Sequence, residues 1–116
     1  MSEVRRLHVG PRYSECSIHA GVVYLAGQVA TDVAADVKGQ TREVLTLIDG
    51  LLGEAGTSKS RILMVQIFLA DISDYAGMNE VWDSWVAKES APPRATVETR
   101  LADPDWRVEI VVTAAL

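Results

Sequence analysis

The chain holds a single cysteine, Cys16, so no disulfide can form within it. A lone thiol fits a reducing compartment. Histidine is nearly as scarce: only His8 and His19 occur, and no C-x-x-C, H-x-H or H-E-x-x-H spacing is present. Neither a metal site nor a cofactor is expected. No glycine-rich loop opens a helix, which removes the usual cradle for nucleotide phosphates. Basic residues number 11 against 16 acidic ones, and apart from the pair Arg5-Arg6 they are isolated. A net charge of −5 without a basic stripe argues against a nucleic acid partner. No apolar run approaches the ~20 residues that span a bilayer, so no membrane partner is expected. Met1 to Arg6 has no apolar h-region, and the expected location is cytoplasmic. Ser14 and Ser17 lack a base and an orienter. Cys16 and His19 stand three residues apart in one strand-like run, on opposite faces, so they do not form a nucleophile and base.

What is there suits one packed core. The 116 residues are 48% apolar and 23% charged, the balance of a folded domain, and residues 1–116 are read as a single one. Arg5 to His8 reads as a short strand, broken by Gly10-Pro11. Cys16 to Ala20 and Val22 to Ala26 read as a hairpin with a tight Ala20-Gly21 turn. Val37 to Ala55 is the clearest helix, with Val44, Leu45, Leu47, Ile48, Leu51 and Leu52 on one stripe and Gly56 as its stop. Ile62 to Ala70 reads as a strand covered on both faces. Asp71 or Ser73 caps a second helix bearing Tyr75, Met78, Trp82 and Trp85 on one face, a core or subunit-contact pattern. Pro92-Pro93 ends it. Arg94 to Leu101 and Arg107 to Ala115 are the last strands.

The order β-β-β-α-β-α-β-β predicts an α+β fold, a mixed sheet with both helices on one face. In the last strand Val108, Ile110 and Val112 point one way, and Glu109, Val111 and Thr113 the other. A two-layer domain leaves that second face bare, so self-association is expected.

Two residues stand out chemically. Arg94 follows two prolines at a strand mouth, where stiff backbone could hold its guanidinium to clamp a carboxylate through two parallel hydrogen bonds. The plain alternative is a solvated surface charge. Glu109 is a lone carboxylate inside Val108-Glu109-Ile110-Val111-Val112, costly to bury unless paired or neutralised. It is either an outward or interface ion-pair partner, or a carboxylate in a cleft that handles a proton or orients water. Together they favour a small anionic ligand over a metal or a nucleotide.

Gly10-Pro11, Tyr13, Val23-Tyr24-Leu25-Ala26-Gly27-Gln28, Asp74-Tyr75-Ala76-Gly77-Met78-Asn79, Pro93-Arg94-Ala95-Thr96-Val97-Glu98 and Val108-Glu109-Ile110 occur in that order. This series resembles the Rid family, also called YjgF or "endoribonuclease L-PSP". Arg12-Tyr13-Ser14, Ile18-His19 and Trp82-Asp83-Ser84-Trp85 look most like its YoaB-like branch. The resemblance implies a chorismate-mutase-like fold and a homotrimer whose sheets form a central barrel, with ligand clefts between subunits. It implies hydrolysis of reactive 2-imino acids and their enamine tautomers to 2-oxo acids and ammonia.

By position, Arg94 matches the arginine that grips the substrate carboxylate, and Glu109 the carboxylate thought to position or activate water. Tyr13 matches a pocket-lining aromatic and Asn79 an asparagine near the cleft. Gly27 matches a glycine that keeps backbone close to the ligand. Thr96 and Ala26 stand where many members have cysteine and serine, and Val111 where many have a second glutamate. The expected function is a 2-imino acid deaminase. The rival is a non-catalytic module that binds small carboxylates such as 2-oxo acids. RNA cleavage suits the charge poorly, and chorismate mutase chemistry would rest on fold analogy alone.

Overall fold

The computed structural model describes residues 3–116. Strands β1 (Arg5–Val9), β2 (Ser14–His19) and β3 (Val22–Leu25) come first, followed by helix α1 (Val37–Ala55). Then come β4 (Ile62–Leu69), α2 (Tyr75–Trp85), β5 (Arg94–Glu98) and β6 (Val108–Ala115). This is the order read from the sequence.

Local chemistry explains the boundaries. Ala20 and Gly21 both take positive φ, 51° and 78°, and that left-handed pair matches the twist of the β2–β3 hairpin. The Asp36 side chain accepts from the Gly39 N–H at 2.9 Å and starts α1. Gly56, at φ 94°, ends it with its N–H on the Gly53 carbonyl. Asp71 caps a single 3₁₀ turn, Ile72–Asp74, by accepting from Ser73 N–H. That turn leads into α2.

The strands form one six-stranded sheet in the order β1-β2-β3-β6-β4-β5. Only β4 and β5 run parallel, because α2 carries the chain back between them. Both helices cover one face. Cys16, Ile18, Val23, Val65, Ile67, Val108, Ile110 and Val112 point into that layer and meet Val44, Leu45, Ile48, Leu52, Met78 and Trp82. Leu47, read as part of the helical stripe, is instead partly exposed on α1.

The other face is bare within the chain: Tyr24, Met64 and Val97 are exposed on it, with Phe68 and Val111 half-buried. Two expectations are corrected here. Strand β4 is not covered on both faces, because both helices lie on one side and leave Met64 and Gln66 exposed. The barrel expectation is also overturned. The sheet is open, since β1 pairs only with β2 and β5 only with β4, so two edges remain unjoined. The fifth strand is shorter than read and does not pair with β6, since β4 lies between them: β5 ends at Glu98, whose carboxylate accepts from the Ile72 N–H at 2.9 Å.

One buried polar residue organises the far end of the molecule. Gln40 is fully buried; its Nε2 donates to the carbonyls of Ala35 and Asp105, at 3.2 and 3.1 Å. Its Oε1 accepts from the Arg107 N–H at 2.8 Å. Gln40 thus ties the turn before β6 to the first turn of α1.

Candidate functional site

Strand β5 places Arg94 and Thr96 at the sheet edge. Arg94 pairs with Val65 and Thr96 with Ile67, both buried beneath the helices, so the two side chains share the helix-covered face. Val65 N–H donates to the Pro93 carbonyl and Thr99 N–H to the Leu69 carbonyl. Alternation between those bonds turns the N–H groups of Arg94 and Thr96 outward from the edge.

The guanidinium lies against α2. Its central carbon is 5.2 Å from the Trp82 ring centroid and 5.9 Å from that of Tyr75. Arg94 Nη2 donates to the Tyr75 hydroxyl oxygen at 3.3 Å. Ile72, Tyr75, Arg94 and Thr96 line an open hollow of about 450 Å³. Among the described residues no carboxylate lies within ion-pair distance of Arg94. Arg94 is half-buried and braced by two aromatic rings, which sets it apart from a freely solvated surface charge.

Thr96 carries an anomaly. Its Oγ1 is buried and has no hydrogen-bond partner, alone among the described side chains. An orphaned hydroxyl costs stability, so Thr96→Val is expected to raise the unfolding free energy by about 1 kcal/mol. Urea midpoints compare the two; a loss of stability in the variant would show that the hydroxyl is satisfied in solution.

Glu109 sits elsewhere. It pairs with Phe68, which pairs with Val97, so its side chain stands on the bare face, opposite Arg94. Gly27 comes alongside through the main-chain bridge of Gln28 to Ile110, with bonds of 2.9 and 3.1 Å. A Cβ added to Gly27 would fall 2.9 Å from Glu109 Cδ and closer still to a carboxylate oxygen. The Glu109 carboxyl group therefore rests on the bare Cα of Gly27.

Tyr13 lies in the β1–β2 connection, exposed, beside a separate hollow lined by His8, Gly10, Pro11, Arg12 and Glu15. Asn79 is half-buried on α2 and does not line the Arg94 hollow. The structure thus joins Arg94 to Thr96 and Glu109 to Gly27, and keeps these pairs apart within one chain.

Tyr75 and Trp82 have no part in the carboxylate clamp as read from the sequence. The available signal was their spacing of seven, two turns on one helix face, which reads equally as core. Cys16 is buried, and burial pushes its thiol up, which suits an inert packing residue. No group of three or more His, Cys, Asp or Glu side chains among the described residues could hold a metal ion. No helix of the described residues is long and apolar enough to cross a membrane.

The model of the family described as "Endoribonuclease L-PSP" matches residues 4–116. The chain belongs to this Rid/YjgF family. A RutC family protein of Haemophilus ducreyi is 51% identical over 113 residues, 97% of each chain. The RutC family protein YoaB of Escherichia coli K12 is 41% identical over 111 residues, 96% of each. A crystal structure of a YjgF family member from Neisseria meningitidis superposes with a TM-score of 0.95 at 45% identity. That match covers 97% of this chain and 94% of the other. The Rid/YjgF fold seen here is α+β, with a mixed sheet and two helices. On this Rid/YjgF chain Arg94 and Glu109 occupy opposite sides of that sheet.

Proposed function

We propose that this Rid/YjgF protein, a single domain over residues 1–116 of the YoaB-like branch, is a hydrolytic deaminase of reactive 2-imino acids and their enamine tautomers. The observation that carries this reading is the Arg94 guanidinium, held by two rings at an open hollow and ion-paired with no carboxylate among the described residues. Arg94 grips the substrate carboxylate through its fork, and the outward Thr96 N–H at the strand edge adds a donor. Glu109 orients a water toward C2. Water adds to the protonated imine carbon, the resulting carbinolamine expels ammonia, and the C2–O bond becomes the 2-oxo group. Attack on an iminium is intrinsically easy, so positioning supplies most of the rate. The chemistry uses water and needs no thiol, so Thr96 in place of cysteine is compatible with it. Ala26 offers one hydrogen bond fewer than a serine would.

Arg94 and Glu109 lie on opposite sides of one sheet, so one chain does not bring them to one substrate. The bare apolar face bearing Glu109 supports a homotrimer in which adjacent subunits contribute one half-site each, with Tyr13 and Asn79 near the cleft. The test is complementation in an assay fed by an imine-generating amino acid oxidase. Arg94→Ala and Glu109→Ala are each expected to retain at most about 3% of wild-type activity. Allowed to exchange subunits, they should recover about a quarter of wild-type activity, since random trimers restore one junction in each mixed assembly. No recovery despite proven exchange sinks the shared site. Binding of a 2-oxo acid without turnover by wild-type protein sinks the deaminase and leaves a carboxylate-binding module.

A further inference from the structure

The Tyr75 hydroxyl has an unused capacity. Its recorded hydrogen bond is one it accepts, from Arg94 Nη2 at 3.3 Å. A phenol both accepts and donates, so its own proton remains to be placed. Tyr75 is partly exposed at 44% and lines the same hollow as Arg94, Ile72 and Thr96. Trp82 braces the guanidinium at 5.2 Å, so the arginine does not need Tyr75 for stacking alone.

A carboxylate forked onto Arg94 receives two N–H bonds and still has unfilled acceptor sites on both oxygens. The Tyr75 oxygen already touches the guanidinium, so it lies beside any oxygen that the fork holds. We propose that Tyr75 is a ligand-binding residue, donating its O–H to the carboxylate held by Arg94 and making a three-donor grip. This inference rests on the carboxylate-binding role proposed for Arg94. It makes the site selective for an anionic head, while Ile72 gives the hollow an apolar wall against which a short aliphatic chain can pack.

The probe is 2-oxobutanoate, a stable carboxylate of product type, titrated calorimetrically into wild type, Tyr75→Phe and Arg94→Ala. The phenylalanine keeps the ring and removes only the hydroxyl. Its Kd is expected to rise about tenfold, as for a hydrogen bond to a charged group. In turnover, KM should rise with kcat little changed, which marks loss of binding that is equal in ground and transition states. A role confined to steadying Arg94 predicts no bond between the phenol and the ligand. A crystal structure of wild type with 2-oxobutanoate bound separates the two: the Tyr75 oxygen is expected within about 3 Å of a carboxylate oxygen held by Arg94. A Tyr75 oxygen beyond hydrogen-bond reach of that carboxylate overturns the donor role and leaves the Arg94 clamp standing. An unchanged Kd in Tyr75→Phe, with binding lost in Arg94→Ala, overturns this inference alone. Wild type that binds no 2-oxobutanoate, or binds it as well without Arg94, overturns the Arg94 role and this inference together.

Discussion

Arg94→Ala is expected to lower kcat/KM for imine hydrolysis by at least about thirtyfold, and by up to several thousandfold. Truncating one partner of a partly desolvated, hydrogen-bonded charge pair costs on the order of 2–5 kcal/mol, because the carboxylate is left without its fork. Nothing else in the hollow replaces it: Ile72 is apolar, Tyr75 is neutral, and the Thr96 hydroxyl is buried. The fold should survive, since Arg94 lies at a sheet edge and forms no ion pair among the described residues. Arg94→Lys is expected to fall between, keeping the charge but losing the planar fork and its stacking. The measurement is ammonia release with an oxidase supplying the imine, alongside a thermal melt. A folded Arg94→Ala protein with wild-type kcat/KM rules out the clamp.

Gln40→Leu is expected to lower stability by about 3 kcal/mol, read from the denaturant midpoint. The leucine fills similar space but leaves the carbonyls of Ala35 and Asp105 and the N–H of Arg107 without their partner. Each orphaned buried group costs about 1–3 kcal/mol, and partial hydration at the turn keeps the total below the full sum. Arg107 stands two residues before Glu109, so the same variant should lower turnover through a loosened start of β6. A midpoint within about 0.5 kcal/mol of wild type would show that the turn does not depend on Gln40.

The parts of this molecule that the sequence displayed are those set by local chemistry. The Ala20-Gly21 turn, the Val37–Ala55 helix with its Gly56 stop, and the alternation of β6 follow from nearest-neighbour preferences and periodicity. The apolar run of β4 reads as covered on both faces because such a run looks the same whether its outer face meets a helix or, as here, lies bare within the chain. Ring closure was misread because it depends on which strand edges meet. No single strand of this chain encodes that, and β1 and β5 remain unjoined.

The candidate site divides in the same way. Arg94 was conspicuous through its prolines and Glu109 through its apolar neighbours. Their placement on opposite faces depends on the register Arg94↔Val65 and Glu109↔Phe68, which a one-residue slip would reverse. Tyr75 and Gln40 were invisible for a plainer reason. An aromatic on an amphipathic helix and a glutamine in a helix are ordinary residues until their partners, 19 and 67 positions away, are seen.

The Glu109 carboxyl group occupies the volume that a side chain at residue 27 would need. Positions 27 and 109 are therefore a single slot shared by β6 and the segment that follows β3, and only one of them can fill it. Any lineage that gains a methyl at 27 evicts the carboxylate in the same step, while one that first shortens 109 opens 27 to drift. The order in which such changes arrive decides whether descendants of this chain keep an acid there at all.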